Sequence, residues 1–85
     1  MNQYMQLAIK EAKKGIKRGH GGPFGAVIVR KDKIVASSHN TVLKDNDATA
    51  HAEMNVIRKA CRKLHSYDLS DCEIYTTGQP CKMCI

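Results

Sequence analysis

The sequence predicts an α/β fold in which helices cover a small sheet. Three observations carry that expectation: a helical stripe of apolar residues over 4–16, a nearly continuous β-branched run over 24–29, and a second helical stripe from Ala50 to His65. In the first stripe Met5, Ala8, Ile9, Ala12 and Ile16 recur every three or four positions with lysines between them, the pattern of an amphipathic helix. Gly19, Gly21, Gly22 and Pro23 then stop it. Residues 24–29, Phe-Gly-Ala-Val-Ile-Val, read as a buried strand, Lys31-Asp32-Lys33 as a polar turn, and 34–38 as the hairpin partner. Between 40 and 47 the chain is polar, and Asn40, Asp45, Asn46 and Asp47 favour turns or caps. Ala50, Met54, Ile57, Cys61 and Leu64 trace the second helix, with His51 and Glu53 in its first turn. A connector over 66–70 leads to a third strand over 72–77 with Ile74 and Tyr75. Gly78-Gln79-Pro80 is a turn, and Pro80 suits the start of a third helix because its missing donor is not needed there.

Length and composition narrow the class. With 85 residues, 42% apolar and 26% charged, the chain fits one compact domain with a modest core rather than a disordered segment. No apolar run approaches the ~18 residues of a membrane span, and the first residues lack the pattern of a signal peptide, so a cytoplasmic protein without a membrane partner is expected. Four cysteines in such a chain point to metal binding, catalysis or burial rather than to a disulfide framework. The net charge of +6 is uneven: residues 1–65 hold 13 Lys/Arg against 5 Asp/Glu, concentrated at Lys10/Lys13/Lys14/Lys17/Arg18 and Arg58/Lys59/Arg62/Lys63. Basic helix faces of this kind read first as solvated surface, and a nucleic-acid partner is not favoured.

Two segments carry the chemistry, His51-Ala52-Glu53 and Pro80-Cys81-Lys82-Met83-Cys84. A Cys-x-x-Cys at a helix start brings two sulfurs to one point, where unpaired amides and the helix dipole favour thiolate. A histidine from the start of another helix supplies a third ligand, and three protein ligands leave a tetrahedral zinc one open position, as in catalytic sites. Two thiolates cancel the formal charge of the ion, so its water is acidified less than on three neutral histidines. Such a site needs a base close to that water, and Glu53, two residues after His51, suits the role. Cys-x-x-Cys alone also marks thioredoxin-like redox proteins, but that reading leaves His51-Ala52-Glu53 without a role. Cys61 and Cys72 read as buried small apolar residues, and His20, His39 and His65 as structural or solvent-facing.

His-x-Glu followed by Pro-Cys-x-x-Cys resembles the signature of the zinc-dependent cytidine, cytosine, adenosine and guanine deaminases. The resemblance runs over essentially the whole chain. Residues 21–29, 46–53 and 57–61 are most similar to the guanine deaminases of bacteria. It implies a three-layer α/β/α sandwich of the cytidine-deaminase type, and Zn²⁺ held by His51, Cys81 and Cys84. It also implies that Glu53 carries protons from the attacking water to the ring nitrogen and the leaving amine, so that guanine becomes xanthine and ammonia. By the same resemblance Asn40 hydrogen-bonds the purine, Phe24 lies beside the base, and the amide of Ala52 contacts the substrate. Gln79 departs from the family, which has Glu before its Pro-Cys pair.

The family continues for further strands and helices after the point where this sequence ends. Residues 1–85 are therefore expected to form a single partial deaminase domain, cut off after the start of the third helix and inactive or nearly so alone. Its exposed last strand would favour a homodimer. The alternatives are a tRNA adenosine deaminase, a cytosine or cytidine deaminase, and a zinc-stabilised interaction or nucleic-acid module without activity.

Overall fold

The computed structural model describes residues 3–77. Its elements are α1 (Gln3–Lys17), β1 (Gly25–Arg30), β2 (Lys33–His39), α2 (Val42–Asp45), α3 (Ala52–Leu64) and β3 (Cys72–Thr76). The three strands form one antiparallel sheet in the order β2-β1-β3. On one face α1 packs Ala8 with Val27 and Val29, flanked by Tyr4, Leu7 and Tyr75. On the other, Ala52, Val56 and Ala60 of α3 pack on Ala26, Ile28, Val35 and Ala36. The result is the expected three-layer α/β/α arrangement.

β1 is buried on both faces, as its continuous apolar run requires. It joins β2 through a two-residue turn in which Lys31 and Asp32 both adopt positive φ, the twist a tight hairpin prefers. The register slips between Ile28 and Val29, so that Val35 is the extra residue of a bulge.

The α1 stripe matches the sequence reading at Ala8 and Ala12 but not at Ile16, and the α3 stripe is shifted. The buried face of α1 is Ala8, Ala12 and Gly15, while Ile16 is 52% exposed. The buried face of α3 is Ala52, Val56 and Ala60, with Ile57 and Leu64 at its flank. Small side chains let each helix axis approach the sheet, and the larger apolar groups then fill the margins. Gly25 shows how close that approach is: a Cβ there would overlap the carbonyl oxygen of Ala8 and lie 2.7 Å from the amide nitrogen of Ala12.

The short helix α2 falls where the sequence suggested turns or caps, and Asn46 is its C-cap. Its first amides find acceptors outside the helix: Val42 N donates to Asn40 Oδ1 at 3.0 Å, and Leu43 N and Lys44 N both donate to the His20 carbonyl. Cys61 and Cys72 are half-buried free thiols rather than fully buried ones. Among the described residues no helix is long and apolar enough to cross a membrane. The expected turn over 78–80 and the third helix start at Pro80 lie outside the described residues.

Candidate active site at one end of the sheet

Four segments remote in sequence meet at the end of the sheet where β1 begins and β2 and β3 finish. Asn40 N donates to the Phe24 carbonyl at 3.0 Å, and Thr41 N to the Ala50 carbonyl at 2.9 Å. Thr77 N donates to the Gly25 carbonyl at 3.1 Å, while Gly25 N donates to Thr77 Oγ1 at 3.0 Å. These bonds bring Phe24, Asn40 and the start of α3 to one end, together with the segment that leads on to Cys81.

His51 is the N-cap residue of α3, with extended backbone and a ring that makes no capping bond to the first-turn amides. Its carbonyl accepts from Asn55 N at 2.9 Å, which fixes the residue at the helix entrance. Ala52 is fully buried, its methyl in the core, and its amide belongs to the first turn, where amides have no partner within the helix. Glu53 is half-buried in that turn, where the helix dipole favours a carboxylate.

Asn40 is buried, and its Oδ1 is committed to Val42 N. A Cβ on Gly21 would overlap that same oxygen, so the glycine-rich turn needs Gly21 to pass over Asn40. Phe24 is 40% exposed, so it is not a core residue. Its ring packs within 3.1 Å of where a Cβ on Gly22 would lie.

Two features escaped the sequence reading. Asn55 Nδ2 faces the His39 carbonyl at 3.0 Å, Thr41 Oγ1 at 2.8 Å and the Ala50 carbonyl at 3.2 Å, tying α3 to the end of β2. Glu11, His39 and His20 form a hydrogen-bonded row: His39 Nδ1 lies 2.9 Å from Glu11 Oε1, and His39 Nε2 2.8 Å from His20 Nδ1. A carboxylate only accepts, so His39 donates to Glu11 through Nδ1. The two rings stack with centroids 5.1 Å apart. Burial, and then His39, Lys44 and Arg18 beside it, hold the His20 imidazole below its ordinary value.

Cys81 and Cys84 lie outside the described residues, as does Gln79. Among the described residues no three His, Cys, Asp or Glu side chains group to hold a metal, and the set His51, Cys81 and Cys84 has one member among them. Burial, and then the neighbouring Asp71, raise the Cys72 thiol above its ordinary value.

The profile of the cytidine and deoxycytidylate deaminase zinc-binding region matches residues 1–85. Guanine deaminase of Bacillus subtilis is 49% identical over 82 residues, covering 96% of this chain and 53% of that protein. The tRNA-specific adenosine deaminase of Aquifex aeolicus is 43% identical over 81 residues, covering 95% of this chain and 53% of its own. The crystal structure of the Bacillus subtilis guanine deaminase superposes with a TM-score of 0.92, covering 99% of this chain and 55% of that one. The chain thus spans about half the length of the relatives it matches, and over that half it has the same fold.

Proposed function

The chain belongs to the cytidine and deoxycytidylate deaminase family, and we propose that it carries the metal-binding and proton-transfer half of an aminohydrolase acting on guanine. The observation that supports this reading best is the meeting of Phe24, Asn40 and His51 at one end of the sheet through the bonds Asn40 N to Phe24 O and Thr41 N to Ala50 O. One imidazole and two thiolates, from His51, Cys81 and Cys84, suit a borderline-soft zinc ion. That ion, when bound, acidifies the attacking water.

Glu53, two residues into the same helix, takes a proton from the water and passes it to the ring nitrogen. The hydroxide left behind adds to C2, Glu53 then moves the proton of the new C2 hydroxyl to the amine, and the C2–N bond breaks, so guanine and water give xanthine and ammonia. While Asn40 Oδ1 accepts from Val42 N, the side chain's Nδ2 is available to donate to the purine. The exposed ring of Phe24 offers an apolar face to the base.

The test is ammonia release from guanine, cytosine, cytidine and adenosine in tRNA, assayed with the chain and with the product of its whole reading frame. A preference for guanine, weak in the 85-residue chain, is expected; a preference for another substrate would overturn the assignment. A second reading, a tRNA adenosine deaminase, draws support from the net charge of +6 and from the 43% identity to the Aquifex aeolicus protein.

A further inference from the structure

A strongly basic concavity among the described residues is separate from the candidate active site. A cleft of about 420 Å³ opens between the end of α1, α2 and the outer face of α3, and neither His51, Glu53, Asn40 nor Phe24 lines it. Six cations do: Lys14, Arg18, Lys44, Arg58, Lys59 and Arg62. Five come from three separate helices and Arg18 from the turn after α1, so no single helical repeat accounts for their meeting.

The two carboxylates in the cleft, Glu11 and Asp45, offset only two of the six charges. Glu11 is held by His39 at 2.9 Å and only distantly by Lys14 at 3.9 Å, and Asp45 accepts from Thr41 Oγ1 at 2.7 Å. Lys59 is turned to the Ser37 carbonyl, and Arg58 to Thr49 Oγ1. Arg18, Lys44 and Arg62 form no ion pair among the described residues. Gathering like charges around a concave surface is unfavourable in itself, and a multivalent anion relieves it.

We propose that this cleft binds a small anion carrying two or more phosphate groups, such as a diphosphate or a nucleoside diphosphate. Charge selects the class: six cations against two engaged carboxylates exceed what one phosphate dianion balances. Shape selects a compact ligand, since the volume lies in the range of small-molecule pockets. The histidine pair at the floor supplies an internal reporter. Burial is the main cause that holds the His20 imidazole low, and an anion among the cations offsets the further lowering by Lys44 and Arg18.

The experiment titrates the chain with inorganic pyrophosphate by calorimetry and by imidazole NMR at low and moderate salt, with a short single-stranded RNA as a second arm. Saturable binding of one pyrophosphate per chain is expected, with the His20 pKa rising on saturation. Lys44→Glu and Arg62→Glu, both exposed positions, should each weaken it about tenfold or more, equivalent to about 1.4 kcal/mol. Lys63→Glu, exposed on α3 but lining a different concavity, should weaken it less than about twofold. Equal losses in Lys63→Glu and Arg62→Glu would overturn the proposal by showing only non-specific charge. So would an unmoved His20, or RNA binding without pyrophosphate binding, which would instead favour the tRNA reading. None of these readouts depends on deaminase activity, so the proposal and the functional assignment fail separately.

Discussion

The side-chain amide of Asn55 points at the His39 carbonyl, 3.0 Å away, and through that contact the first turns of α3 are fastened to the last residue of β2. The same nitrogen reaches Thr41 Oγ1 and the Ala50 carbonyl, the two residues whose backbones are already bonded to each other. His51 and Glu53 therefore stand on a helix entrance fixed to the sheet end that also carries Asn40.

Replacing Asn55 with Ala leaves carbonyls at this junction short of a donor, which costs about 1–3 kcal/mol. Urea denaturation is expected to show that loss. An unchanged midpoint would mean that the junction is held by the backbone bonds alone.

Gly25→Ala is expected to be more damaging, because the obstacle is the backbone of α1 rather than a movable side chain. Overpacking costs ~1–3 kcal/mol where neighbours can yield, and more where they cannot. The prediction is a loss of at least about 3 kcal/mol by denaturation, or failure to fold. A variant of wild-type stability would contradict the close approach of α1 to β1.

Acidification is expected to destabilise the fold through His20. Its imidazole is held below 6.5 by burial, His39, Lys44 and Arg18, with Asp45 opposing. Between the folded value and 6.5 the unfolded chain binds more protons than the folded one, so stability rises with pH across that window and is lost as pH falls through it. Asp47, bonded by Thr49, and Asp68, bonded by Ser70, are lowered from 3.8 and add losses of the same sign at more acid pH. Denaturation midpoints of the wild type and His20→Gln, compared from neutral pH to just below 6.5, check this: the variant should show the flatter profile.

We also propose that copies of the chain associate through β3. It is an edge strand among the described residues, with Ile74 46% exposed beside an apolar hollow lined by Ile28, Ile57, Leu69 and Cys72. Sedimentation should show self-association that Ile74→Lys reduces. Equal association in the variant would place the contact elsewhere.

Apolar patterning locates α1, β1 and α3, while β2 is legible as the hairpin partner after a polar turn and β3 from Ile74 and Tyr75. The helical stripes locate the buried face of α1 in part, through Ala8 and Ala12, and miss that of α3. Ala8, Ala12, Gly15, Ala52 and Ala60 carry little hydrophobicity, yet their small size is what brings the helices onto the sheet. α2 is invisible for another reason: its amides are satisfied by Asn40 and by the carbonyl of His20, residues outside the helix. Of the candidate site, His51 and Glu53 are legible as a motif, and Asn40 and Phe24 only through family resemblance. Asn55 and the Glu11–His39–His20 row depend on partners far along the chain, and no local pattern announces them.

Zinc content measured alongside cysteine and histidine variants tests the account most directly. One zinc per chain is expected in the wild type, in Glu53→Gln and in the double variant Cys61→Ser/Cys72→Ser, with loss in His51→Ala, Cys81→Ser and Cys84→Ser. A wild-type chain without stoichiometric zinc, or a His51→Ala chain that keeps it, would contradict the account.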